Sequence, residues 1–124
     1  MDGRVITVIN LLEEDLRRGL SLDDLARSVN LSSWHLCHLF KSTTGTSPRR
    51  YVKSLRMREA QRLLEYSFLR VKEIMNLVGA HNEAQFFRDF KKTYGLSPNK
   101  YRERQFGLYL PEYSQELIVD SKIC

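Results

Sequence analysis

Two cysteines are too few to staple a fold. Cys37 and Cys124 are the only ones in 124 residues, so no disulfide framework is available, and both are expected as free thiols of a reducing compartment. Apolar runs are short as well. None approaches the roughly 20 residues needed to cross a bilayer, and no basic segment with an apolar stretch and a small-residue cleavage site opens the chain. A cytoplasmic protein with no membrane part is expected. His35, His38 and His81 are the only histidines. With Cys37 they make no C-x-x-C or H-E-x-x-H arrangement, and His35 and Cys37 fall on different helix faces, so neither a metal nor a cofactor is expected. A Ser/His/Asp set, a phosphate loop and paired carboxylates are missing too. Glu13-Glu14-Asp15 and Asp23-Asp24 read as solvated faces and helix-start acids, and no enzyme is expected. What remains is an ordinary folding composition, 42% hydrophobic and 28% charged, sized for one domain or two small lobes.

Charge is present in a segregated form. The formal net charge is +5, but residues 1–31 carry four basic and six acidic side chains, residues 32–106 fifteen and six, and residues 107–124 one and three. The middle segment therefore holds the cationic surplus, from Lys41, Arg49, Arg50 and Lys53 to Lys91, Lys92, Lys100, Arg102 and Arg104. Such a field attracts a polyanion, nucleic acid first.

Helical periodicity dominates. Val5, Val8, Ile9, Leu12 and Leu16 mark an amphipathic first helix ending near Gly19. Ser21 caps a short second helix with an apolar stripe of Leu22, Leu25, Ala26 and Val29 and an acid, Asp24, in its first turn. Asn30 suits the left-handed stop, and Ser32 or Ser33 caps a third helix that turns Leu36, Leu39 and Phe40 inward until Gly45. Ser47-Pro48 opens a fourth helix of some 20 residues, about 30 Å long, to about Tyr66.

The second half repeats the first. Leu22, Leu25, Ala26, Val29 and Asn30 recur 49 residues on as Val71, Ile74, Met75, Val78 and Gly79. Phe40, Lys41, Gly45, Ser47, Pro48 and Tyr51 recur 50 residues on as Phe90, Lys91, Gly95, Ser97, Pro98 and Tyr101. Two related helix-turn-helix units in one all-α chain follow. In such a unit the second helix lies in the major groove, with its outward face on base edges and its N-terminus on phosphates. That spacing nominates Trp34, Cys37, His38 and Lys41 on the third helix as base readers. On the sixth helix it nominates Glu83, Ala84, Phe87, Arg88 and Lys91, with Phe86 and Phe90 inward. Trp34 and Phe87 have packing in the core as their alternative. Ser32, Ser33, Ser47, Arg49, Arg50, Asn82, Lys92, Ser97 and Lys100 are the candidate phosphate contacts. A connector of about 30 Å nearly matches the roughly 34 Å turn of B-DNA, so one chain could enter two successive grooves of an asymmetric double-stranded site. The rival is a basic helical adaptor that binds an acidic protein without base contacts.

Residues 4–104 resemble the DNA-binding region of the AraC/XylS family of bacterial transcription regulators. Carrying the resemblance are Ile74-x-x-x-Val78-Gly79 and Phe86-x-Arg88-x-Phe90-Lys91-Lys92-x-x-Gly95-x-Ser97-Pro98-x-x-Tyr101-Arg102. The first unit adds Leu25-Ala26, Leu39-Phe40-Lys41 and Gly45-x-Ser47-Pro48, and the connector adds Arg56, Ala60 and Leu63-Leu64. Three positions depart from the family pattern: Ala80 in place of an aromatic, Met75 in place of a small alanine, and His38 in place of an arginine. The resemblance implies an all-α fold of about seven helices, with two helix-turn-helix subdomains joined by a long connector helix. It further implies sequence-specific control of transcription, RNA polymerase as a partner, and either signal sensing and dimerisation through the further domain that family members usually carry, absent from this chain, or a free-standing small activator. The expected divisions are 1–46, 47–67 for the connector, 68–106, and a C-terminal extension, 107–124. Leu108-Tyr109-Leu110-Pro111 and Leu117-Ile118-Val119 give that extension enough apolar content to pack on the domain's own surface, on a partner or, as an edge strand, on another copy.

Overall fold

Short polar side chains set the helix starts. Ser21 Oγ accepts from the Asp24 N–H at 3.1 Å while the Asp24 carboxylate accepts from the Ser21 N–H at 3.2 Å, a reciprocal box. Ser32 accepts from the His35 N–H at 3.1 Å and Ser47 from that of Arg50 at 3.3 Å. Asn82 accepts from the Gln85 N–H at 2.9 Å and Ser97 from that of Lys100 at 3.4 Å. The computed structural model describes the backbone of residues 1–109 and the side chains through 106. Within these it has seven α-helices and no strand: α1 (Gly3–Glu14), α2 (Leu22–Ser28), α3 (Ser33–Thr44), α4 (Pro48–Tyr66), α5 (Val71–Val78), α6 (Glu83–Tyr94) and α7 (Pro98–Tyr109). The expectations for the chain from Leu110 onward lie outside the described residues. No described helix is long and apolar enough to cross a membrane.

One boundary differs from expectation. The first helix stops at Glu14 rather than near Gly19, because Asp15 adopts an extended conformation (φ −152°) and its carboxylate accepts from the Arg17 N–H at 3.0 Å. A short acid able to bond its own backbone two residues on competes with helix propagation. Leu16–Arg18 consequently form a separate 3-10 turn. Asn30, in contrast, takes the left-handed conformation expected of it, φ 57°.

Two cores result. Val5, Val8, Leu12, Leu25, Ala26, Leu36 and Phe40 form the first; Met57, Ala60, Leu64, Ile74, Met75, Val78, Phe86, Phe90 and Tyr101 the second. Helix α4 serves both, laying Tyr51, Val52 and Leu55 on the first and Met57, Ala60 and Leu64 into the second. The repeated Phe and Tyr explain themselves here. Phe40 meets Tyr51 edge-on at 5.4 Å and 77°, and Phe90 meets Tyr101 at 5.5 Å and 84°, the geometry favoured by aromatic quadrupoles. Each contact ties the end of one helix-turn-helix unit to the helix that follows it. Met75 and Ala80, two of the departures from the family pattern, sit together in the second core, with the Ala80 N–H bonded to the Met75 carbonyl at 2.9 Å.

The units also touch directly. Gly79, at φ 78°, ends α5 against the 3-10 turn: a Cβ there would fall on the Leu16 carbonyl oxygen, with Leu16 C at 3.2 Å and Arg17 Cα at 3.3 Å. Gly45, the left-handed stop after α3, has φ +84° but open space around the missing Cβ. Gly45→Ala should therefore cost only the left-handed backbone penalty, about 1–2 kcal/mol. Gly79→Ala adds a clash with main-chain atoms and should cost about 3 kcal/mol or more. Urea unfolding of the two variants measures the difference, and equal costs would mean that Leu16 does not press on Gly79.

Candidate nucleic-acid interface

Positions related by the repeat land in related environments. Leu36 and Phe86 are buried, as are Phe40 and Phe90, so α3 and α6 each turn one apolar stripe to their own core. Opposite that stripe, Trp34, His38 and Lys41 on α3 and Glu83, Ala84, Arg88 and Lys91 on α6 are exposed. Trp34 is 69% exposed, which settles its alternative against the core. Cys37 and Phe87, also 50 residues apart, are half-buried. Cys37 lines an apolar groove with Leu22, Leu25, Pro48 and Val52, and Phe87 packs against the second core. A step of three residues turns a helix back by about 60°, which carries both to the border of the outward face. The exposed set is thus narrower than the spacing nominated.

Two of the outward side chains are held in place. The imidazole of His38 stacks on Trp34 with centroids 3.9 Å apart, and its Nδ1 lies 2.8 Å from the Trp34 carbonyl oxygen. On α6, Arg88 donates through Nη2 to Gln85 Oε1 at 2.9 Å, and Gln85 Nε2 donates to Asp89 Oδ1 at 2.9 Å. Lys53 Nζ, from the connector, reaches the same Asp89 oxygen at 3.0 Å. Gln85, Asp89 and Lys53 were not among the nominated site residues. The spacings of three and four residues from Gln85 to Arg88 and Asp89 are the signal that sequence carries for the first two. Lys53 needs the tertiary fold.

The candidate phosphate contacts cluster at helix starts. Ser32, Ser47, Asn82 and Ser97 are the caps described above, so their side-chain oxygens already satisfy one backbone donor each. Ser33 donates its hydroxyl to Asp23, which joins α2 to α3. Arg49 and Arg50 in the first turn of α4, Lys92 in the last turn of α6, and Lys100 in the first turn of α7 are exposed.

Part of the cationic surplus is structural. Arg102 donates from Nε to the Leu64 carbonyl at 3.2 Å and from Nη2 to that of Ser67 at 3.3 Å. It thereby satisfies carbonyls at the C-terminus of α4, where a cation also suits the helix dipole. Burial lowers its pKa. Beside it Tyr101 donates to Glu65 at 2.6 Å and accepts from Gln61 at 2.8 Å. Burial, and then the carboxylate, push that phenol up. Arg56 is half-buried, its Nε without a partner, and desolvation lowers its pKa. Among the described residues no charged side chain is fully buried.

Known proteins share this arrangement. A family model for a helix-turn-helix domain matches residues 25–104. The Msm operon regulatory protein of Streptococcus mutans is 33% identical over 96 residues, covering 77% of this chain and 34% of its own length. The chain therefore spans about a third of that curated relative. The probable transcription factor PqrA of Proteus vulgaris is 33% identical over 98 residues, covering 77% of this chain and 80% of its own. The DNA-binding domain of AdpA, a global transcriptional factor solved in complex with a target DNA, superposes with a TM-score of 0.82 at 26% identity. The match covers 87% of this chain and 97% of that domain.

The caps at the starts of α3 and α6 should be worth about 1 kcal/mol each. Ser32→Ala and Asn82→Ala are expected to lower stability by that amount singly and by about their sum together, since they belong to separate units. Thermal unfolding of both single variants and the double variant checks it; a single cost near zero would remove that cap from the account.

Proposed function

The chain belongs to the AraC/XylS family of helix-turn-helix, DNA-binding transcription regulators, and on that premise we propose that α3 and α6 enter successive major grooves of one asymmetric duplex site. The observation that carries this reading is the repeated outward face: two capped helices, each packed by one stripe and open on the other, within the cationic segment of the chain. The likeness to a domain solved on its target DNA supports it.

In this reading Arg88 bonds guanine O6 and N7, its orientation preset by Gln85, and Trp34 and Ala84 meet thymine methyls. Glu83 accepts from a cytosine amine, and Lys41 and Lys91 add cationic contacts along the same faces. Cys37 and Phe87, half-buried, contribute to the edge of each face and not to its centre. Ser32, Ser33, Asn82 and the N-terminal turns of α4 and α7, with Arg49, Arg50, Lys92 and Lys100, hold phosphates and fix register. The proposed role is regulatory and non-enzymatic, set in the bacterial cytoplasm with RNA polymerase as protein partner. Dimerisation is assigned to sequence outside these residues.

Competition binding separates base reading from simple polyanion or acidic-protein binding. Arg88→Ala should cost about 1–3 kcal/mol on a selected site and relax discrimination at one base pair, whereas Lys41→Ala should weaken all DNA more evenly and reduce the salt slope by about one. Gln85→Ala should loosen the same base pair as Arg88→Ala while leaving random DNA unaffected. Equal losses on selected and random DNA for Arg88→Ala would end the base-reading assignment.

A further inference from the structure

The hydrogen bond inside α3 determines which nitrogen of His38 is left for an outside partner. A peptide carbonyl oxygen only accepts, so Nδ1, 2.8 Å from the Trp34 carbonyl, must carry the proton that makes the bond. In the neutral ring Nε2 is then a bare acceptor. The ring has little freedom to exchange the two nitrogens. Its plane is fixed by the stack on Trp34, at 3.9 Å and 30°, and its rotation in that plane by the carbonyl. His38 is exposed on the outward face one turn from Lys41, which presents Nε2 at the position that Arg88 occupies in the second unit, 50 residues on.

The two units therefore offer opposite hydrogen-bond polarity. Arg88 is donor-only and suits guanine, whose major-groove edge is two acceptors. An acceptor at His38 finds no partner on guanine or thymine and finds one only on an exocyclic amine, adenine N6 or cytosine N4. We propose, resting on the major-groove reading of α3, that His38 makes the first sub-site require adenine or cytosine at its contacted base, while Arg88 makes the second require guanine. Trp34 acts as the positioning residue, through its ring and its carbonyl. The two half-sites then differ in hydrogen-bond polarity even though the helices that read them are repeats.

The test uses the full 124-residue chain and a pool of randomised 40-base-pair duplexes at pH 8. Selection is run in parallel on the unaltered chain, His38→Arg, His38→Ala and Arg88→Ala. One position in the selected sites should favour adenine or cytosine over guanine by about fivefold, the worth of one good hydrogen bond. That position should switch to guanine by about tenfold or more with His38→Arg, where a bidentate pair becomes available, and become indifferent with His38→Ala. The position that answers to Arg88→Ala should stay guanine in both His38 variants. Trp34→Ala, which frees the ring while keeping the carbonyl, should weaken the adenine or cytosine preference. Guanine in the unaltered selection at the position that responds to His38, or no position responding, overturns this assignment while leaving DNA reading intact. No enriched sequence for the unaltered chain overturns the groove reading itself.

Discussion

The placement of one helix-turn-helix unit against the other rests on the approach of Gly79 to the carbonyl of Leu16. The turn between α5 and α6 has no side chain at that point, so the backbone of the second unit can seat on the 3-10 turn of the first. Helix α4 fixes the distance along the chain, and this contact limits rotation about it. Two reading helices on a loose tether would pay an entropic cost for the second to engage after the first; two helices in fixed relation pay it on folding.

Duplication is visible at three levels, and each has a different physical content. The Phe and Tyr pairs, with the serine caps and first-turn prolines, are kept because they fix how a reading helix joins the next one, a constraint shared by both units. The stops are less alike: Asn30 suffices after α2, whereas Gly79 is required after α5 by the contact just described. The outward positions diverge most. Trp34 and Ala84, or His38 and Arg88, are exposed and pack on little of the core, so they are free to differ in chemistry.

The cationic surplus deserves division by role. Arg102 terminates the carbonyls of α4, and Arg56 is half-buried beside the first core. Lys53 is drawn to the half-buried Asp89, which also accepts from Gln85, the residue that holds Arg88. The field that faces a polyanion is consequently smaller than the residue count, and it is concentrated at Lys41, Arg49, Arg50, Lys91, Lys92 and Lys100.

Much of this protein was legible in its sequence. The repeat, the serine and asparagine caps, the first-turn prolines and the left-handed stop at Asn30 are local signals, because a cap or a stop satisfies backbone groups within a few residues of itself. The buried stripes followed from helical period alone. Local pattern placed Cys37 and Phe87 with the outward residues, and the structure leaves both half-buried, since a step of three residues brings them to the border of the face and only the neighbouring helices decide which way the border falls. The early end of α1 was hidden because its apolar spacing runs unbroken through Leu16. Contacts made across the chain were not legible: the seat of Gly79 on Leu16, Lys53 against Asp89, and Arg102 on the end of α4 join residues 35 or more apart in sequence. Sequence by itself determined the helices and their outward chemistry, because those depend on neighbours along the chain; the tertiary structure decided how the two units are braced and which atoms of the readers remain unspent, because those depend on neighbours in space.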